Sequence, residues 1–346
     1  MEFQHVVVDA EPPGTENDVC LIADVNGDGH NDIVIGGKEG TGNVVWYEYP
    51  DWTRHTIGTA RFEAGGVMMD ITGNGRLDLV AGSDYGNEQL WWFENPGPPF
   101  EDWPLHLITS DYLKYHDQAA GDVDGDGEDE LVVLSQQSEI VMYYDIPSPV
   151  PTGPWPEECR HTVWRGREVE GVAVADLDGD GENEIVAGPF WLKRENDEWV
   201  HRPVAPDYVL TCVALGDLNG DGRPEIVLSE GESDEGRLGW FSGCPRWEEH
   251  RLRDDLFHPH SLQVADMDGD GRPDIFVAEM GLGRNEDAEL LVYLNRGNGR
   301  FEKEVVARGF ATHHAKIGRI GESRLPSIVG KPYHPESRVD LWLRKD

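Results

Sequence analysis

Six stretches of this chain repeat one arrangement of oxygen-bearing side chains. The fullest reads Asp-x-Asp-Gly-Asp-Gly-x-x-Asp, with carboxylates at Asp266, Asp268, Asp270 and Asp274. Groups at the first, third, fifth and ninth positions of such a stretch can converge on one hard cation, and the glycines between them permit the tight turn this requires. Oxygen-only donors at this density suit Ca²⁺ better than zinc or copper. Four other copies keep the pattern: Asp24, Asn26, Asp28 and Asp32; Asp122, Asp124, Asp126 and Glu130; Asp176, Asp178, Asp180 and Glu184; and Asp217, Asn219, Asp221 and Glu225. The copy at Asp70, Thr72, Asn74 and Asp78 has lost charge and is expected to bind weakly or not at all, so up to six structural calcium ions are expected.

A second set of residues stands at a common offset. Six positions before the first loop ligand lie Asp18, Ala64, His116, Glu170, Thr211 and His260. A seventh unit aligns at Arg319, with Arg319, Gly321, Ser323 and Ser327 in place of the ligands, and adds His313. The Arg319 guanidinium is expected to replace the cation there. Three imidazoles and a carboxylate, His116, His260, His313 and Glu170, suit a divalent transition metal such as Zn²⁺, Mn²⁺ or Fe²⁺, or else Mg²⁺, with positions left open for a substrate. The same side chains could instead hydrogen-bond across a wet channel or hold sugar hydroxyls without a metal. Around this ring, His258, His314, Tyr333, His334 and Lys331 are the candidate acids and bases. Lys38, Asp84, Tyr85, Lys114, Tyr115, Asp117, Gln136, Glu168, Glu230 and Glu279 fall on the same side and are more simply loop or wall residues.

These side chains need a scaffold that brings distant parts of the chain to one axis. The flanks of each loop are β-type runs, such as Val213–Gly216 before and Glu225–Leu228 after, which argues against EF-hand helices. A third segment carries aromatics (Val44–Tyr47, Leu90–Phe93, Val141–Tyr144), and a fourth opens on a histidine: His55, His106, His161, His201 or His250. Four antiparallel strands per unit of about 40–55 residues is the pattern of a propeller blade. The fold class expected is all-β: a seven-bladed β-propeller in one domain, 1–346, with residues 3–8 supplying the last strand of the seventh blade. The aromatic strands recur in every repeat and are read as packing between blades.

The formal net charge is −38, of which six dications would cancel about twelve units. The remainder argues against nucleic acid and anionic membranes as partners. No apolar run approaches a membrane span, and no leader peptide is evident at the first residues. Cys20 and Cys212 are read as equivalent positions in two repeats, and Cys159 and Cys244 lie in different repeats, so the four cysteines are expected to be free. Free thiols favour a reducing compartment and calcium loops favour the exterior, so location stays open.

The loops and their β flanks resemble the FG-GAP or VCBS repeats of calcium-loop propellers, across nearly the whole chain. The segment Trp91–Pro96 and the histidine-led strands look most like the propeller of aldos-2-ulose dehydratase, and propeller-type polysaccharide lyases are similar. The chain lacks the cupin domains of the former. The resemblance implies a carbohydrate lyase or dehydratase, eliminating across a keto-sugar or a uronate-containing sugar, with a small-molecule or oligosaccharide substrate in the funnel opposite the calcium loops. A non-catalytic carbohydrate- or protein-binding propeller is the alternative, and a metal-dependent sugar isomerase or hydrolase a third. Oligomeric state is left open.

Overall fold

The computed structural model describes residues 1–345. They form seven four-stranded antiparallel sheets arranged as blades, with one helical turn at Glu157–Cys159. Blade 1 runs in chain order from Thr15–Ala23 through Asp32–Glu39 and Val44–Glu48 to Thr53–Gly58. The first strands of blades 2 to 7 are Val67–Met69, Tyr115–Gly121, Val172–Ala175, Thr211–Gly216, Ser261–Ala265 and Lys316–Gly318. The seventh sheet takes its fourth strand from Phe3–Asp9, which pairs antiparallel with Val339–Arg344, His5 standing opposite Trp342.

Seven apolar clusters fill the seven gaps between neighbouring blades. Strand alternation divides each blade between two of them. Val34 and Trp46 of blade 1 pack with Leu79 and Phe93 of blade 2, whereas Ile33, Ile35, Val45 and Tyr47 pack with Val329 and Leu341 of blade 7. The aromatic third strands are therefore mortar between blades. The fourth-strand histidines stack on them: His55 on Trp46 at 4.3 Å between ring centroids, His106 on Trp92 at 4.5 Å and His250 on Trp240 at 3.9 Å. A carboxylate caps four of the fourth-strand rings, Glu48 on His55, Glu94 on His106, Asp145 on His161 and Asp340 on His5.

The six loops close in one way. The first aspartate accepts a backbone N–H from the glycine five residues on, at 2.6–3.0 Å in every copy. The ninth-position carboxylate accepts the N–H of the loop's second residue, at 2.7–3.0 Å. Glycines such as Gly27 (φ +77°) and Gly29 (φ +89°) take the left-handed conformation that this path needs. The second loop shares the backbone path despite its weaker ligands.

Two expectations are corrected here. Cys20 pairs with Ile35 and Cys212 with Ser229, so strand register makes Cys20 equivalent to Val213 and not to Cys212. One residue of slip reverses the face: Cys20 is buried between blades 7 and 1, while Cys212 reaches the central channel. All four cysteines are free. Arg319 is exposed and makes no ion pair with the described residues, so its guanidinium does not stand in for a cation in the seventh loop.

Candidate metal centre in the central channel

The first strands of the blades converge on a central cavity of about 90 Å³. Its wall includes His116, Asp117, Glu170, Cys212, His260 and His314. Local backbone breaks aim some of these groups inward. In blade 3 the register slips between Tyr115 and Asp117, leaving His116 as the extra residue of a bulge; in blade 1 the same slip falls between Asn17 and Val19, at Asp18. A bulge re-aims a side chain off the regular pleat. His314 reaches the channel with a φ of +50°, a conformation that costs a non-glycine residue on the order of 1 kcal/mol or more.

The ring nitrogens of His116, His260 and His314 lie within 4.8 Å of one another, all three residues buried. Glu170 bridges two of them: its Oε1 is 3.5 Å from His116 Nε2 and its Oε2 is 3.6 Å from His260 Nε2. Glu232, on the loop after the second strand of blade 5, brings Oε1 to 3.0 Å from His260 Nε2. Glu170 Oε2 and His314 Nε2 are buried without a hydrogen-bond partner. Unpartnered buried atoms of this kind are costly unless an ion or water satisfies them.

Outer contacts set the orientation of the ring. Asp117 Oδ2 accepts from His116 Nδ1 at 2.7 Å and from the Gly171 N–H at 2.8 Å, which turns His116 Nε2 toward the axis. Gln136 donates to Glu170 Oε1. Burial works to lower the pKa of His116, but Asp117 and Glu170 more than offset it and hold the value above the usual range for histidine. Burial likewise acts against the charge on His260, yet Cys212, Glu170 and Glu232 raise it well above normal. Burial first, and then the neighbouring cations, push His313 and His314 well below normal, which favours the neutral imidazole in both. The hydrogen bond to His260 draws Glu232 down to about 2.

The structure thus brings His116, Glu170 and His260 together, and departs from expectation at the fourth member. His313 turns its Nδ1 to Asp18 Oδ1, at 3.0 Å, and packs against the Tyr333 ring at 4.9 Å. Its place among the converging nitrogens is taken by His314, expected instead as an acid or base. The reason is the left-handed backbone at 314, invisible in a strand register. Tyr333 Oη lies 3.2 Å from Lys38 Nζ, which also pairs with Asp18 at 2.8 Å and Glu63 at 3.2 Å. Lys331 is fully buried beneath this cluster, with no hydrogen-bond partner for its Nζ. His258 is held by Asp234 at 2.9 Å, and His334 is exposed on its loop. Neither belongs to the converging set. Glu232 escaped the sequence reading because it lies in a loop outside the repeat register; its nearness in sequence to Glu230 was the only signal.

Among the loops, the carboxylates of Asp122, Asp124 and Glu130, of Asp176, Asp178 and Glu184, and of Asp266, Asp268 and Asp274 each lie within 4.8 Å of one another.

Comparisons with known proteins bear on the fold. The search of curated proteins found no match. Three solved structures resemble the chain over nearly its full length. BBS1N, crystallised in complex with ARL6DN, has a TM-score of 0.67 at 12% identity, covering 100% of this chain and 98% of that one. The V. cholerae biofilm matrix protein Bap1 has 0.57 at 10%, covering 100% and 92%. Rhamnogalacturonan lyase YesW has 0.53 at 14%, covering 99% and 75%. At such identities the likeness is one of fold. The model of the FG-GAP-like repeat matches residues 24–81, 70–133, 217–277 and 266–315, more than half of the chain. With seven blades in a ring and the same loop at each matched repeat, the chain belongs to the FG-GAP-like repeat family of β-propellers.

Proposed function

We propose that this propeller is a metal-dependent carbohydrate lyase or dehydratase, acting in its central channel on a keto-sugar or a uronate-containing sugar. The observation that carries this reading is the convergence of three buried imidazoles and a buried carboxylate, with Glu170 Oε2, His260 Nε2 and His314 Nε2 lacking a hydrogen-bond partner. The residues fit a divalent transition metal: His116, His260, His314 and Glu170 would hold it, with Glu232 at the mouth. Such an ion supplies Lewis acidity toward a substrate carbonyl or carboxylate. A propeller lyase among the structural neighbours agrees with the class of reaction.

The chain's own groups then handle the protons. His313 faces Asp18, and its burial favours the neutral form, so its other ring nitrogen can accept the proton of the C–H bond next to the carbonyl. The electron pair of that bond forms the new C=C as the C–O bond at the next carbon breaks. Tyr333 is protonated at neutral pH, because burial and then Asp18 push it up to about 12, and it supplies a proton to the departing oxygen. Lys38, at 3.2 Å, stabilises the phenolate left behind.

Elemental analysis of the purified chain and of His260→Ala tests the centre. The expected result is loss of one transition metal per chain, with calcium retained. Incubation with keto-sugars and uronate oligosaccharides should then give unsaturated products with the parent chain alone. If only calcium is found in both proteins, the propeller is a binding module, with the channel histidines as hydrogen-bond donors.

A further inference from the structure

The fourth cation loop contains a side chain that the others lack. Lys193 Nζ lies 2.7 Å from Asp178 Oδ2, 2.6 Å from Asp180 Oδ2 and 2.8 Å from Glu184 Oε1. These are the third-, fifth- and ninth-position groups of that loop, the oxygens a calcium ion would take. An ammonium donating to three carboxylates from one point has its three N–H bonds used.

Register shows how Lys193 arrives there. It follows Leu192, which pairs with Ile185. The corresponding residues are Glu48 in blade 1, Glu94 in blade 2 and Asp145 in blade 3, and then Ser242, Leu294 and Leu343. The three acids hold the fourth-strand histidine of their own blade. Lysine cannot accept from a histidine N–H. In blade 4, His201 instead packs on Phe190 at 4.6 Å and Trp164 at 5.8 Å, and Lys193 is released toward the loop. Among the described residues, no other loop holds one cation against its third-, fifth- and ninth-position groups together: in the sixth, Arg296 comes within 2.7 Å of Asp268 and Arg272 pairs with Asp270, but neither reaches Asp274.

We infer that Lys193 is the resident cation of the fourth loop, and that this loop takes no calcium in the native chain. A divalent ion and an ammonium cannot share oxygens a few ångströms apart without strong repulsion. The tethered ammonium is present at high effective concentration and does not dissociate. One blade is thereby closed independently of calcium supply, while its neighbours remain calcium-dependent. The inference rests on reading the other loops as calcium sites.

Calcium per chain, measured by equilibrium dialysis against calcium alone, tests it with Lys193→Gln and Asp178→Ala, the latter because asparagine already serves at this position in two other loops. Lys193→Gln is expected to bind one calcium more than the parent, and Asp178→Ala in the parent background to leave the count unchanged. Equal counts for the parent and Lys193→Gln, or loss of one calcium in Asp178→Ala, overturn the assignment. Should Lys193→Gln fail to fold, Asp178→Ala decides alone. A parent count of zero would instead sink the calcium reading of the loops themselves.

Discussion

A fully buried lysine with no partner is the sharpest anomaly among the individual residues. Burial lowers Lys331 to about 8, against the pull of Asp18 in the other direction. A lysine depressed on folding is a penalty carried in full below its folded pKa and relieved as pH rises toward its unfolded value near 10.4. That penalty is on the order of 3 kcal/mol. Lys331→Met is therefore expected to match or exceed the parent's melting temperature at pH 7 and to lose the rise in stability between about pH 8 and 10. A fall of several degrees in a pH 7 melt would show that the ammonium is paired after all. If catalysis uses the cluster above it, the same variant should lose turnover while gaining stability, the trade expected of a strained site. Residue types in the ring were readable from a fixed offset. The exchange of His313 for His314 was not, because it depends on one left-handed backbone angle and on the bulges at His116 and Asp18.

At the scale of the element, the loops titrate as a class. Burial, reinforced by neighbouring loop carboxylates, raises Asp32, Asp78 and Asp274 to about 6 and Glu130 and Glu225 to about 7. An acid raised on folding stabilises nothing: the cation-free blade is least burdened below the unfolded pKa near 4, and the burden is complete above 6 to 7. A bound dication removes it, and must displace the protons to bind. Calcium is therefore expected to raise the melting temperature strongly at pH 8 and little at pH 5, with the chelated protein losing stability as pH climbs. Melts with calcium and with chelator at the two pH values check this; equal calcium effects at both would refute it. These loops were legible because ligands, glycines and β flanks are all local. The guest in the fourth loop was not, since Lys193 lies outside the loop and is brought in by strand pairing.

The whole molecule depends on closure. Each blade buries both faces against its neighbours, so the ring has no free end except where Phe3–Asp9 meets Val339–Arg344. Removing residues 1–9 exposes the edge of Val339–Arg344 and part of the apolar gap beside it. The expected outcome is a lower melting temperature and concentration-dependent light scattering, as for other unprotected edges. A monomeric truncation with the parent's melting temperature would mean that the seventh blade stands with three strands. Packing between blades is a similar lever: Trp46→Ala, in the gap between blades 1 and 2, is expected to cost about 3–5 kcal/mol in a denaturant titration. Blade number, strand order and the closing strand follow from the sequence alone, because repetition writes each of them several times over in short-range patterns. Which imidazoles meet, that Glu232 joins them and that Lys193 fills a loop were decided only by the tertiary structure. Those contacts join residues from separate blades or loops, and their geometry depends on backbone breaks that no periodic pattern records.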